Sequence, residues 1–132
     1  MMKQLLSLVT LIMLCCFASI ATSKELIREF KGTESKTTAQ FEAKAPWILD
    51  WHASGDYPGS MVLQVSLISS PDGKYLGKIT KTNWVSNGVR LFDQSGTFRL
   101  QVKSSLANWT LRVEQLNQLE AETYTPKPGA IE

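Results

Sequence analysis

The chain is poor in the side chains that bind metals and form disulfides. Its 132 residues include one histidine, His52, and two adjacent cysteines near the N-terminus, Cys15 and Cys16. A single histidine without neighbouring cysteines excludes the usual structural zinc sets. Three aspartates lie in predicted loops: Asp56, Asp72 and Asp93. Their carboxylates are oxygen ligands of the kind that calcium prefers, but they lack EF-hand spacing, so capping of turns is the simpler interpretation. We predict no metal and no other cofactor.

Runs of like charge are also missing. The chain has 14 basic and 12 acidic residues, a formal net charge of +2, and the two signs are interspersed along its length. A nucleic-acid partner or an anionic membrane usually requires a basic stripe. Because the linear sequence shows no such stripe, we expect no nucleic-acid partner.

Long apolar runs are absent after residue 23. The one run near the start, residues 5–20, follows Lys3 and precedes Ala21-Thr22-Ser23, small residues that a signal peptidase recognises. It is shorter than the roughly 20 residues that span a bilayer. We predict a signal peptide at 1–23 and a periplasmic or extracellular protein with no stable membrane span after cleavage.

Both cysteines lie inside the predicted signal. Lipidation of Cys15 or Cys16 is the less favoured alternative, because bulky Leu14 stands where a lipoprotein signal has a small residue. With ordinary cleavage after Ser23, the exported chain contains no cysteine. A secreted domain without disulfides depends on its hydrophobic core for stability.

The remaining sequence alternates large apolar and polar residues, which is the period of half-buried β-strands. The clearest segments are 47–51, 98–102 and 109–113. The inward-facing residues predicted for the core are Phe41, Trp47, Leu49, Trp51, Met61, Leu63, Val65, Leu67, Ile79, Leu91, Phe98, Leu100, Val102, Trp109, Leu111 and Val113.

Turn-forming residues separate about eight predicted strands. Pro71-Asp72-Gly73 predicts a hairpin between two of them, and segments 98–102 and 109–113 predict a second hairpin. We predict an all-β fold over 24–118, a single antiparallel two-layer β-sandwich or jelly-roll-like barrel. Residues 119–132 are predicted to form a flexible C-terminal tail, although 116–122 carries a trace of helical period.

A resemblance rests on these same strand residues. Phe41 with Pro46-Trp47-Ile48-Leu49-Asp50-Trp51, followed later by segments 96–102 and 109–113, resembles small exported bacterial β-sandwich proteins. More remotely, it is similar to accessory domains of the prepeptidase C-terminal type. The resemblance covers most of 30–115 at core and turn positions. It implies the fold and a non-catalytic role.

Catalytic residue types occur together once, in Asp50, His52 and Ser54. They occupy alternate positions of one predicted strand, so their side chains stand side by side about 7 Å apart along the strand and do not converge. No Gly-x-Ser-x-Gly motif is present. A solvent-facing polar strand is the simpler interpretation, and a hydrolase or lyase that uses His52 with Asp50 or Asp56 is the alternative function.

Trp84 lies outside the strand pattern, in a segment at 81–88 that is predicted to be irregular. Asp56 and Tyr57 lie in another predicted loop. We predict that these three residues form a ligand-binding surface, with Trp84 folded over one end of the sandwich as the alternative. The preferred hypothesis is a non-enzymatic exported module that binds an unidentified protein or envelope glycan through its loops. A structural subunit of an envelope complex is a further alternative.

Overall fold

The computed structural model describes residues 24–124. The predicted signal peptide at 1–23 and positions 125–132 of the predicted tail lie outside the described residues. The described chain folds into nine strands and one helix, in the order β1 Glu25–Gly32, β2 Lys36–Thr37, β3 Phe41–Ala43, β4 Trp47–Ser54, β5 Val62–Ser69, β6 Tyr75–Thr82, β7 Ser86–Phe92, β8 Gly96–Ser105, β9 Asn108–Gln115 and α1 Gln118–Tyr124.

The strands form two antiparallel sheets that enclose one core. Sheet A has the order β1-β9-β4-β7, and sheet B has the order β2-β8-β5-β6, with β3 also paired to β8. Within residues 24–124 no strand belongs to both sheets. The predicted all-β sandwich is therefore confirmed, and the sheets do not close into the barrel that was its alternative.

One of the two predicted hairpins is correct. β5 and β6 pair across the turn at Pro71-Asp72-Gly73, where Gly73 has a φ of +73° and its N–H donates to the Ser69 carbonyl at 3.0 Å. The hairpin predicted for 98–113 is wrong, because β8 lies in sheet B and β9 in sheet A. Their connection at Leu106-Ala107 crosses from one sheet to the other.

Thr38 begins the short segment, residues 38–40, that separates β2 from β3. This buried residue donates its backbone N–H to the Leu100 carbonyl at 2.9 Å, and its Oγ1 accepts the Leu100 N–H at 3.0 Å. A side-chain oxygen thus takes the place that a backbone carbonyl has in a regular ladder. Both short strands still pair with β8.

Most of the predicted inward-facing residues are buried between the sheets, and Trp51 and Ile79 are half-buried against them. Trp47 is fully buried, with its ring stacked on Phe92 at a centroid distance of 4.2 Å. Its Nε1 donates to the Gln94 carbonyl at 2.9 Å. The buried members of the predicted set are Phe41, Trp47, Leu49, Met61, Leu63, Val65, Leu67, Phe98, Leu100, Val102, Trp109, Leu111 and Val113.

A second, smaller apolar cluster lies on the outer face of sheet A. There α1 and the preceding Leu116 cover Ile48, and Leu91 packs against them. The inward orientation predicted for Leu91 is wrong: it pairs directly with Ile48, so both lie on the outer face, and Phe92 faces the core instead.

Helix α1 occupies the start of the predicted tail. Asn117 and Glu120 cap it reciprocally: Asn117 Oδ1 accepts the Glu120 N–H at 2.8 Å, and Glu120 Oε1 accepts the Asn117 N–H at 3.1 Å. This is the geometry of a capping box. α1 has 7 residues, and no helix within 24–124 is long and apolar enough to cross a bilayer.

Tryptophans of the two central strands of sheet A lie over glycines of the edge strands. Trp109 on β9 pairs with Gly32 on β1, and Trp51 on β4 pairs with Gly88 on β7. A Cβ atom at either glycine would overlap the facing ring. The glycines are therefore required by close packing, and Gly88 lies inside a strand although 81–88 was predicted to be irregular.

Candidate functional site

Four loops meet at one end of the sandwich. The strand registers bring them together, since Gly32 pairs with Trp109, Ser54 with Asn108 and Leu63 with Thr82. We call this end the loop rim and define it as residues 33–35, 55–61, 83–85 and 106–107. All three predicted site residues, Asp56, Tyr57 and Trp84, lie on it.

Trp84 lies at the tip of the β6–β7 loop with 62% of its surface exposed. Thr82 holds its backbone from both sides: Trp84 N–H donates to Thr82 Oγ1 at 3.1 Å, and the same hydroxyl donates to the Trp84 carbonyl at 3.1 Å. One edge of the ring lies near Gly59, where an added Cβ would be 3.6 Å away. The indole is thus supported by the neighbouring loop and still largely open to solvent.

Hydrogen bonds join the two loops that carry the aromatic residues. Gly59 N–H donates to the Asn83 carbonyl at 2.8 Å, and the Tyr57 carbonyl accepts the N–H groups of Ser60 at 3.0 Å and Met61 at 3.1 Å. Gly59 has a φ of +90°, a conformation that glycine adopts without steric cost. The Tyr57 side chain is 62% exposed. The backbone of this part of the rim is therefore well defined.

A depression of about 200 Å³ lies beside Asp56 and Tyr57, and it is bounded on its other side by Leu106, Ala107 and Asn108. The loops approach closely there, since a Cβ at Gly55 would lie 2.6 Å from the Leu106 carbonyl oxygen. Asp56 and Tyr57 thus share one small concave surface. Trp84 is not among the residues that line it.

Sequence reasoning missed two apolar residues of the rim. Leu106 is 58% exposed and has a φ of +56°, an uncommon conformation for a residue with a branched side chain. Val85, beside Trp84, is equally open. A single exposed apolar residue is ordinary on any protein, but the loop rim carries four large exposed apolar or aromatic residues, Tyr57, Trp84, Val85 and Leu106. Interaction sites are typically enriched in such residues. Only the arrangement of the loops reveals that the four share one rim.

The alternative catalytic residues lie on the outer face of sheet A. Asp50 Oδ1 and His52 Nε2 are 3.5 Å apart, so the structure brings His52 to Asp50. Ser54 shares a shallow depression of about 410 Å³ with His52, whereas Asp56 lines the adjacent one. Within residues 24–124 no hydrogen bond joins Ser54 to His52, and this arrangement lacks the nucleophile–base contact of a catalytic triad.

The predicted loop aspartates do not all lie together: Asp93, in the β7–β8 loop, is at the same end of the sandwich as Asp72. Asp72 lies in the β5–β6 turn, where its Oδ1 accepts a hydrogen bond from Ser69 Oγ, at the end of the sandwich opposite Asp56. Nowhere between residues 24 and 124 do three or more histidine, cysteine, aspartate or glutamate side chains meet in a way that could hold a metal ion.

No protein-family model matches this chain, and no curated protein matches it in sequence. The loop rim is the surface where exposed aromatic side chains, a concave site and a well-defined backbone coincide.

Proposed function

We propose that this protein is an exported, non-enzymatic β-sandwich module that binds a protein or an envelope glycan through the loop rim. The observation that carries the proposal is the exposure of Trp84 and Tyr57 on two loops whose backbones are hydrogen-bonded together. Large aromatic side chains provide much contact area for little loss of conformational entropy. They are also the residues that most often dominate binding energy.

The scaffold supports the same proposal. Binding loops are commonly carried at one end of a rigid β-sandwich, because the paired strands fix where each loop begins and ends. Export to the periplasm or the extracellular space is proposed from the N-terminal sequence. The fold-level resemblance to small exported β-sandwich proteins agrees with a non-catalytic role.

The test compares rim variants with a matched variant elsewhere. Protein purified after expression of the full chain is used to capture ligands from an envelope extract, and the bound material is quantified. Trp84→Ala and Tyr57→Ala should each reduce capture at least tenfold, the loss expected when a hot-spot aromatic residue is removed. Tyr75→Ala is the control, since Tyr75 is similarly exposed but lies at the opposite end of the sandwich. Equal capture by all three variants and the unaltered protein would disprove the role of the rim.

The Asp50–His52 pair supports the alternative of a hydrolase or lyase. The activity of such an enzyme would depend on pH and would be lost in the His52→Ala variant. Full retention of any activity found in that variant would exclude His52 as the catalytic group. The third proposal, a structural subunit of an envelope complex, predicts stable co-purification that Trp84→Ala does not disturb.

A further inference from the structure

The outer face of sheet B concentrates positive charge that is dispersed in the linear sequence. Residues directly opposite in an antiparallel pair lie on the same face. Lys103 on β8 and Lys81 on β6 are both opposite Gln64 on β5, and Lys78 is opposite Ser66 one row further along. Arg99 lies opposite Ile68 in the next row. We call Lys78, Lys81, Arg99 and Lys103 the basic face.

These four side chains are exposed and have no acidic partner. Every ion pair found within residues 24–124 joins Lys24 or residues of β1, β4 and β9. Strands β5, β6 and β8 contain no acidic residue. The one acidic residue in the strands of sheet B is Glu42 of β3, which is opposite Thr97 at the Arg99 end of the face and forms none of these ion pairs. Arg99 makes one polar contact, from its Nε to Ser70 Oγ at 3.4 Å. Unpaired cations on one surface produce a field that attracts an anionic partner.

The spacing favours an extended polyanion. Lys81 and Lys103 flank β5 at about 10 Å from each other across two strand spacings, and successive rows along the strand are about 7 Å apart. Between the cations lie the half-buried amide side chains of Gln64 and Gln101, which can both donate and accept hydrogen bonds. Ser66, at the centre, is buried beneath its longer neighbours, with only 2% exposed. Cations and amides interspersed on one face can contact the acidic groups and the hydroxyl groups of one polymer together.

We propose that the basic face binds an anionic polysaccharide, with the lysines and Arg99 contacting its acidic groups and the glutamine amides its hydroxyl groups. A membrane surface fits less well, because attachment to a bilayer uses an apolar face with large inserted side chains. The residues between the three lysines are polar, and the apolar Ile68 and Tyr75 lie only in the row of Arg99, at one end of the face. This surface shares no residue with the loop rim, so the inference does not depend on the function proposed for the rim.

The test measures binding of the protein, purified from the full chain, to polygalacturonate, dextran sulfate and neutral dextran by calorimetric titration at low and high salt. Both polyanions should bind and dextran should not, and binding should weaken as salt rises. The double variant Lys81→Gln/Lys103→Gln should bind the polyanions roughly tenfold more weakly or worse, given the contribution of each lysine near an anionic surface.

A matched control removes the same charge elsewhere. Lys31→Gln/Lys44→Gln, outside the basic face, should change polyanion binding less than about twofold. Thermal unfolding of both double variants verifies that they are folded. Equal weakening in the two double variants, binding of neutral dextran, or absence of binding to both polyanions would overturn the proposal. So would tight binding to phosphatidylglycerol vesicles without polysaccharide binding, which would assign the face to a membrane.

The result of this test can be distinguished from the result of the ligand-capture test of the loop rim. Trp84→Ala should leave polyanion binding unchanged. If Trp84→Ala abolishes it while Lys81→Gln/Lys103→Gln does not, then the polysaccharide binds the rim and the basic face is not the site.

Discussion

The outer faces of the two sheets both consist of strands with alternating apolar and polar residues, but their charged side chains are arranged differently. On sheet A, Arg112 lies between Glu29 of β1 and Asp50 of β4, and its Nη1 is 3.7 Å from Glu29 Oε2. Its Nε also donates to Glu114 at 3.2 Å. On sheet B, Lys103 lies opposite neutral Gln64. Strand register therefore decides whether a polar position becomes part of an ion-pair network or part of an unpaired surface.

The faces also differ in what covers them. Part of sheet A is covered by α1, which packs on buried Ile48. Glu114, directly opposite Ile48 on this face, is also buried. No described helix lies over sheet B, where Ile68 in an outward position is only half-buried. An outward-facing position is thus solvent-exposed only if nothing later in the chain packs over it.

The largest expected effect contrasts the inner and outer positions of β8. Leu100→Ala and Val102→Asp should each lower the free energy of unfolding by several kcal/mol, because one opens a cavity and the other buries a charge. Arg99→Ala and Gln101→Ala, on the outer face of the same strand, should change it by less than about 1 kcal/mol. Denaturant unfolding measures all four, and equal losses would refute the inward and outward assignment.

The next contrast compares one isoleucine on each outer face. Ile48→Ala should destabilise the protein by about 2–4 kcal/mol, because α1 buries the side chain completely. Ile68→Ala, the same truncation on sheet B, should cost less than about 1.5 kcal/mol. Chemical denaturation checks the difference. Similar losses at both positions would mean that α1 does not stabilise sheet A in solution.

A smaller effect is expected from the charges themselves. Arg112→Gln should lower stability by about 0.5–1 kcal/mol at low salt, since it removes two ion pairs, and less at high salt because the pairs are partly exposed. Lys103→Gln should leave stability unchanged or raise it slightly, because it relieves repulsion among like charges. Thermal unfolding across a salt series tests this, and a loss at Lys103 as large as that at Arg112 would contradict the unpaired state of the basic face.

The smallest expected effect concerns Lys24, at the edge of the covered part of sheet A. Its Nζ donates to Tyr124 Oη at 2.9 Å, and this hydrogen bond, with the charge of nearby Glu114, raises the pKa of Lys24 above its ordinary value. A pKa that is higher in the folded state contributes stability below the unfolded value, and that contribution is lost as pH rises through the folded value. NMR titration should show the raised pKa, and Tyr124→Phe should lower it. An unchanged pKa in that variant would rule out the Lys24–Tyr124 contact.

The sequence predicted the strands and their faces better than their partners. Alternation correctly placed Leu100, Val102, Leu111 and Val113 in the core, because the side-chain period of a strand is a local property. It failed for the 98–113 hairpin, since nothing in the alternation of β8 or β9 specifies the sheet to which each belongs. At β7 two adjacent apolar residues, Leu91 and Phe92, left the inward face ambiguous, and only pairing with β4 resolves it.

For helix α1 the sequence showed only a trace of helical period over 116–122, although a second local signal exists. Asn117 and Glu120 have the spacing of a capping box, but a helix of 7 residues is too short to be stable by its own propensity. Packing of the helix on Ile48 supplies the stability that its intrinsic helix propensity does not provide. That contact joins residues far apart in the chain, so the local sequence does not reveal it.

For the candidate site, the sequence indicated Asp56, Tyr57 and Trp84. Asp56 and Tyr57 lie among turn-forming residues, and Trp84 lies outside the alternating strand pattern. Leu106 and Val85 carry no such signal, and they join the loop rim only because four loops converge at one end. The basic face was also not predicted. Its four cations are separated along the chain, so the linear charge pattern indicated no basic surface.

The sequence by itself determined the all-β class, most of the residues that face the core and most of the turns, because backbone preference and side-chain alternation act between near neighbours. Tertiary structure alone decided which strands pair, which outer positions are covered and where charges collect. Those properties depend on contacts between distant segments, and β5 with β6 is the one pair of described strands that are neighbours both in the chain and in a sheet.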